Sequence, residues 1–297
     1  MLNFDDQDGQ IWFNGALVPW RDVQLHVLSH GLHYASCVFE GERVYNGRIF
    51  RLREHSQRLI DSAKALGFEI PYSLADIKQA TLDTVTAQGF ADAYVRPVAW
   101  RGSEMMGVSA QETKIHFAIA VWEWPSYFSP EARMRGIKLK TSSWKRPSPE
   151  CAPVHSKAAG LYMICTLSKH EAEADGFDDA LMMDWRGQVA ESTGANIFLV
   201  KDGKLYTPIP DCFLNGITRR SVIELAKGHG IKTIERVIMP EELPDADEIF
   251  VTGTAAEVTP VGQIDDHSFQ VGPVTKTLLA DYDDLVRASD AAESSAA

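Results

Sequence analysis

The chain has 297 residues, 45% hydrophobic and 24% charged, enough to bury the core of one large domain or two ordinary ones. Its 41 acidic and 29 basic residues leave a net charge of −12, and the basic side chains are scattered, which excludes the grouped Lys and Arg of a nucleic-acid surface. No run of about 18 apolar residues is present, the start Met1-Leu2-Asn3-Phe4-Asp5-Asp6 lacks the basic-then-apolar order of a signal peptide, and Cys37, Cys151, Cys165 and Cys212 form no CxxC pair or zinc-ligand set; a cytoplasmic protein with free thiols is expected.

The first ~125 residues read as an α+β unit. Asn14-Gly15 and Asn46-Gly47 each separate two short apolar runs, the signature of type I′ hairpins, whose turns need positive φ twice. Apolar spacing predicts helices over residues 53–66 and 74–88, and alternation predicts strands over 93–100 and 115–122. Pro125, Pro130 and Gly136 interrupt any regular pattern, so residues 125–136 are expected to connect two domains, 1–124 and 137–289. Beyond them come a strand from 137 to 142, a proline-containing loop and a helix over 158–175. Hairpins follow around residues 185–187 and 201–203, then a helix over 217–229, a strand over 247–252 and a helix over 274–288. Residues 290–297 read as a disordered tail.

Several short segments carry residues suited to chemistry. Lys157 lies at a loop-to-helix transition among small residues; alone, it reads as a solvated surface lysine, whereas a Schiff-base lysine has to be partly desolvated. Glu191 ends an apolar strand, where a carboxylate serves either as a turn acid or as a partner to a pyridine nitrogen. Gly216-Ile217-Thr218 opens a helix whose free N–H groups and hydroxyl suit a phosphate, and Gly253-Thr254-Ala255-Ala256 offers a second such turn. Arg58, on a helix with Arg51 and Arg53 nearby, reads as a phosphate fork or as part of a solvated charged face. If Tyr94-Val95-Arg96 is a strand, Tyr94 and Arg96 share a face, as carboxylate recognition requires.

In order and spacing these blocks resemble the fold-type IV aminotransferases that use pyridoxal 5′-phosphate, most closely those for branched-chain amino acids. The blocks are His30-Gly31-Leu32-His33-Tyr34, Val38-Phe39-Glu40-Gly41, Tyr94-Val95-Arg96-Pro97, Ser143-Trp144, Lys157 with Tyr162, Glu191 to Asn196, Gly216-Ile217-Thr218-Arg219 and Gly253 to Thr259. The resemblance implies a two-domain fold like that of D-amino acid aminotransferase, with a small N-terminal α+β domain, a larger C-terminal β-barrel-like α/β domain and the cofactor between them. It implies that Lys157 holds pyridoxal phosphate as an internal Schiff base and acts as general base, that Tyr162 lies beside the ring oxygen, and that Glu191 binds the pyridine nitrogen. Arg58, Ile217, Thr218 and Thr254 match the phosphate-binding set. Tyr34, Phe39, Gly41, Val108, Trp124 and Tyr127 match the substrate pocket; Arg96 with Tyr34 would receive the distal carboxylate of glutamate, and Tyr94 with Ala255 and Ala256 the α-carboxylate.

The implied reaction exchanges the amino group of L-leucine, L-isoleucine or L-valine with 2-oxoglutarate, in a homodimer or higher homo-oligomer whose neighbouring small domain helps close the substrate site. No metal, nucleic acid or membrane enters. The chain departs from the family pattern at Leu161, at Ala195, at Pro125-Ser126 and at Glu42, which replaces a typically apolar residue. Alternatives on the same fold are a D-amino acid aminotransferase, an (R)-amine transaminase and an aminodeoxychorismate lyase. A binding protein without catalysis would have lost Lys157 or Glu191, and both are present.

Overall fold

A computed structural model describes residues 3–124 and 135–288. The tail read at 290–297 and most of the connection read at 125–136 lie outside the described residues. Contacts divide the chain into two compact units, Met1–Pro125 with His155–Met163, and Ser126–Val154 with Ile164–Ala297.

The first unit is built on a seven-stranded sheet in the order β2-β1-β7-β6-β4-β5, with β3 paired to β6. Its strands are β1 (Gln10–Phe13), β2 (Ala16–Pro19), β3 (Cys37–Phe39), β4 (Glu42–Tyr45), β5 (Arg48–Ile49), β6 (Ala93–Arg101) and β7 (Ile115–Glu123). Both predicted Asn-Gly hairpins form, with φ of 50° and 110° at Asn14 and Gly15 and of 50° and 78° at Asn46 and Gly47. The short helix α1 (His30–Tyr34) precedes β3, and α2 (Leu52–Ala65) and α3 (Leu74–Gln88) follow β5. α3 starts with a capping box in which Ser73 and Asp76 satisfy each other's backbone N–H groups.

Strand alternation sorts β6 and β7 into two faces. Val95, Ala99, Phe117, Ile119 and Val121 join Leu59 of α2 and Ile77 of α3 in one apolar cluster. Trp100, Ala118, Val98 and Trp122 belong to a second cluster with Ile11 and Trp20. Tyr94 and Arg96 therefore take the face away from the two long helices, as their spacing predicts.

The second unit contains a nine-stranded sheet. Its strands are β8 (Ile137–Arg146), β9 (Asp179–Asp184), β10 (Val189–Ser192), β11 (Asn196–Lys201), β12 (Lys204–Thr207), β13 (Thr233–Glu235), β14 (Glu248–Gly253), β15 (Glu257–Ile264) and β16 (His267–Ser268). Because β10 pairs with both β9 and β11, six strands close into a ring in the order β10-β9-β8-β15-β14-β11. The ring is joined where Glu191 of β10 pairs with Asn196 of β11, while β12 and β13 continue the sheet from the rest of β11. One buried cluster draws on all six strands, with Leu139, Leu181, Val189, Ile197, Val251 and Val261 among its members. The remaining helices are α4 (Met163–Ala174), α5 (Ile217–Gly228) and α6 (Pro273–Arg287).

The structure differs from the sequence reading in places with identifiable causes. The strand expected to stop at residue 142 continues to Arg146 through an irregularity between Thr141 and Lys145, which breaks the alternation that marks a strand. β15 went unrecognised because Pro260 argues against an interior strand. It is tolerated here because β8 pairs with β15 only from Val261 onward, leaving that side of Pro260 without a ladder partner.

The helix read over 158–175 begins as a 3₁₀ turn, Ala159–Tyr162, before α4. The same segment, counted with the C-terminal part in the sequence, packs with the first unit. Ser62 of α2 holds it from two sides: its hydroxyl accepts the Lys157 N–H at 3.0 Å and its carbonyl accepts the Ser156 hydroxyl at 3.0 Å. Phe39 N–H donates to the Lys157 carbonyl at 3.2 Å, and Val38 bridges to Ala158. We predict that Ser62→Ala, which leaves the Lys157 N–H without its acceptor, lowers stability by about 1–3 kcal/mol. Urea unfolding monitored by far-UV circular dichroism tests this, and an unchanged midpoint would refute it.

Candidate active site

The first unit carries the lysine. Lys157 Nζ donates to the Tyr162 phenol oxygen at 2.7 Å, and it lies 4.9 Å from the centre of the Phe39 ring and 5.0 Å from that of Tyr162. Burial among these rings, with Arg58 adding like-charge repulsion, brings the Lys157 amine down to about 8 from its ordinary 10.5. Glu40 opposes that fall without reversing it. The neutral, nucleophilic amine is thus far more populated near neutral pH than in a solvated lysine, which is what distinguishes a reactive lysine.

Glu40 organises the surroundings of this lysine. It has no solvent exposure and accepts from Arg58 Nε at 2.6 Å and from Arg58 Nη2 at 2.8 Å, a bidentate pair. His55 Nδ1 lies 2.7 Å from the same carboxylate and the Gly41 N–H lies 3.3 Å from it. Burial works against the charge on Glu40, but Arg58 and His55 together hold its carboxyl well below the usual carboxylate range. Burial keeps the His55 imidazole below its ordinary value despite the Glu40 contact, so the neutral ring donates from Nδ1. Arg58 is raised, burial being outweighed by Glu40. Its Nη1 makes no hydrogen bond among the described residues and its side chain is 17% exposed, so the third corner of the guanidinium is available to an anion. Of the two readings open for Arg58, the solvated face is excluded.

Tyr94, Arg96 and Phe39 meet on the helix-free face of the sheet. The Arg96 guanidinium lies 4.8 Å from the Phe39 ring centre and 5.3 Å from that of Tyr94, and Nη2 donates to the Tyr94 hydroxyl at 3.3 Å. Its Nε is buried with no hydrogen-bond partner among the described residues, so Arg96 retains capacity for a carboxylate. Gly41 is dictated by this packing, since a Cβ there would lie 2.0 Å from the Tyr94 hydroxyl. Trp124 stacks obliquely on Tyr94 at 5.3 Å. Tyr34 stacks on His30 at 4.6 Å and is 45% exposed, with no hydrogen bond to Arg96 among the described residues, and Val108 is 86% exposed. Tyr127 lies outside the described residues.

The second unit carries the other candidate groups around Asn196. Its amide donates to Glu191 Oε2 at 3.2 Å and to the Leu214 carbonyl at 3.0 Å, while its oxygen accepts the Gly216 N–H at 3.1 Å. Asn196 pairs with Glu191 on β10 and with Thr252 on β14, two residues before Thr254. Glu191, the start of α5 and the turn at residues 254–256 are thereby gathered at one end of the closed sheet. Gly216 caps α5 without a side chain, leaving first-turn N–H groups unclaimed by a cap. Ile217 and Thr218 are buried in that turn, and the Thr218 hydroxyl lies 3.5 Å from the Tyr282 hydroxyl. A carboxylate, a helix start and a hydroxyl turn in one place suit a ring nitrogen and a phosphate.

Sequence reasoning passed over four residues here. Glu40 holds Arg58, His55 donates to Glu40, Asn196 joins three segments, and Arg146 Nε pairs with Glu191 Oε1 at 3.4 Å. Glu40 and Asn196 stood inside recognised motifs, whereas nothing in its local sequence marks Arg146, which an irregular strand brings to Glu191.

Residues 37–264 match the model of the family described as amino-transferase class IV. The chain is 44% identical over 292 residues to a branched-chain-amino-acid aminotransferase of Pseudomonas aeruginosa, covering 96% of this chain and 95% of that one. It is 41% identical over 279 residues to the Escherichia coli enzyme of the same name, covering 90% of each. Among solved structures, a T.th. branched-chain amino acid aminotransferase with pyridoxamine 5′-phosphate superposes with a TM-score of 0.92 at 41% identity, covering 96% of both chains. That of Thermoproteus uzoniensis with norvaline gives 0.90 at 38% identity, covering 94% of both. The two-unit architecture with its closed six-stranded sheet is accordingly the fold-type IV architecture, and with its buried lysine in place the chain belongs to the class IV aminotransferase family.

Proposed function

We propose that this protein is a branched-chain aminotransferase that uses pyridoxal 5′-phosphate to move the amino group between L-leucine, L-isoleucine or L-valine and 2-oxoglutarate. The observation that carries this reading is the desolvated amine of Lys157 beside Tyr162, in a chain 44% identical to a protein of that name. The D-amino acid, (R)-amine and lyase readings are not favoured, because the relatives named above are branched-chain aminotransferases.

The residues present fit the cofactor. Lys157 supplies a neutral amine, Glu191 a carboxylate for the pyridine nitrogen, and Arg58 an unengaged guanidinium corner for the phosphate. Ile217, Thr218 and Thr254 supply the backbone and hydroxyl donors, the first two from the uncapped start of α5. Pyridoxal phosphate, when bound, supplies a ring that draws off the electron pair left when the substrate's Cα–H bond breaks. Lys157 Nζ takes that proton as general base, and the Tyr162 hydroxyl orients the amine. Arg96 receives the distal carboxylate of glutamate, and Phe39 with Trp124 provides apolar wall for an aliphatic chain. Tyr94 and the backbone at residues 254–256 hold the α-carboxylate, and by the resemblance Tyr34 and Val108 belong to the same pocket.

We place the enzyme in the cytoplasm as a homodimer or higher homo-oligomer. Support for self-association comes from Leu25, Val27, Leu28, Leu32 and Val108, all exposed apolar residues of the first unit. Among the described residues no helix is long and apolar enough to cross a membrane.

Three outcomes are expected. In cofactor-free protein, carbamylation of Lys157 by cyanate, followed by peptide mass spectrometry, should rise with a midpoint near the amine's value of about 8. A midpoint near that of a solvated lysine would contradict its desolvation. A donor panel with 2-oxoglutarate should show turnover of L-leucine, L-isoleucine and L-valine, and robust turnover of D-alanine with none of L-leucine would remove the branched-chain reading. Arg96→Ala should lower kcat/KM for glutamate by roughly 10- to 100-fold, the worth of a charge-assisted hydrogen bond, and that for leucine much less. Equal losses would show that Arg96 does not receive the distal carboxylate.

A further inference from the structure

Glu42 occupies a position that an apolar residue would fill without electrostatic cost. Its register partner on β6 is Val95, and alternation places Glu42, Val44 and Val95 on the side of the sheet covered by α2 and α3. The side chain has no solvent exposure, and neither carboxyl oxygen has a hydrogen-bond partner among the described residues. Burial, with Glu40 adding like-charge repulsion, pushes the Glu42 carboxyl well above the usual carboxylate range, and only Arg58 opposes the rise.

The charged and titratable groups facing this corner are few. Glu40 stands at the end of β3, and α2 contributes His55 and Arg58, which engage Glu40. Beyond Arg58 come Lys157 and Tyr162, each coupled electrostatically to it. β6 offers Val95, and α3 offers Ile77 and Ala80. Two buried carboxyls thus act electrostatically on one strong cation, and Glu40 already occupies two of its three nitrogens, Nε and Nη2.

We propose that Glu42 is a proton-gated positioning residue for anion binding at Arg58: protonated, it leaves the guanidinium to Glu40 and the cofactor phosphate, and ionised, it competes with that phosphate. Bringing a phosphate dianion to Arg58 adds negative charge beside Glu42 and strengthens its hold on the proton, so cofactor binding and Glu42 protonation are linked. A pKa difference of one unit between loaded and empty enzyme corresponds to about ten-fold in cofactor affinity across the titration. The sign is fixed: affinity is full where Glu42 is protonated and falls as pH rises through its value in the empty enzyme.

This inference rests on the reading of Arg58 as a phosphate ligand. The test uses pyridoxamine 5′-phosphate, which has no aldehyde to condense with Lys157, and measures its dissociation constant on cofactor-free protein from about pH 5 upward, over the range in which the protein stays folded. Wild type should lose on the order of ten-fold more affinity over that range than Glu42→Gln, whose amide cannot ionise. Parallel profiles for the two proteins would overturn the gating role. Arg58→Ala should bind weakly at every pH; if it binds as tightly as wild type, the phosphate reading of Arg58 itself fails, whatever Glu42→Gln does.

A second readout needs no ligand. The folded state holds the Glu42 proton more tightly than the unfolded chain does, so wild type loses stability as pH rises above the ordinary carboxylate range. The melting temperatures of Glu42→Gln and of Glu42→Ile should therefore rise relative to wild type with increasing pH. A difference independent of pH would show that Glu42 is not held protonated and would overturn the proposal.

Discussion

A carboxylate excluded from water persists only when its charge is balanced and its lone pairs are filled, and in this protein Glu40 sets that condition for its whole neighbourhood. The two hydrogen bonds from Arg58 and the one from His55 tie the end of β3 to α2. Removing one partner of such a pair typically costs about 3–5 kcal/mol, because the other is left charged and buried. The same pair fixes Arg58 with one corner unengaged, and the positive charge held there is second only to burial in lowering the Lys157 amine. Structural necessity and chemical reactivity at this site therefore share one interaction.

The second unit solves a different problem. Six strands join into a ring, and its candidate groups gather at the end where β10 meets β11. Asn196 uses its amide to lock the Glu191 strand, the loop at Leu214 and the start of α5 together. Gly216 has room for no side chain because a Cβ would lie 2.3 Å from the Asn196 oxygen. The geometry of the open helix start thus depends on a neutral side chain that touches no substrate in the proposed reaction.

Within the first unit, β6 shows how alternation sorts one strand's residues onto two faces. Val95 and Ala99 enter the core against the long helices, while Tyr94 and Arg96 emerge on the opposite face with Phe39. Glu42 is the exception, a carboxyl on the core side where its neighbours Val44 and Val95 are apolar. Its presence there argues for chemistry over packing, since packing alone selects a hydrocarbon.

Much of this was legible from local pattern. The two Asn-Gly hairpins, α2, α3, α5 and the Tyr94–Arg96 face follow from turn chemistry and periodicity, which act over a few residues and need no tertiary partner. The ordered blocks around Lys157, Glu191, Thr218 and Thr254 marked the family, because chemistry constrains residue type at each position. Tertiary structure alone decided three things. Pro260 could enter a strand because its neighbour begins one residue later. The segment at Lys157 joins the first unit because Ser62, Val38 and Phe39 capture its backbone. Arg146 reaches Glu191, and Arg58 reaches Glu40, only through folding, since a side chain's burial and electrostatic partners come from distant parts of the chain. The sequence by itself thus determined which residues are chemically able to act, and the fold decided which of them are desolvated, because desolvation is a property of the surroundings and not of the residue.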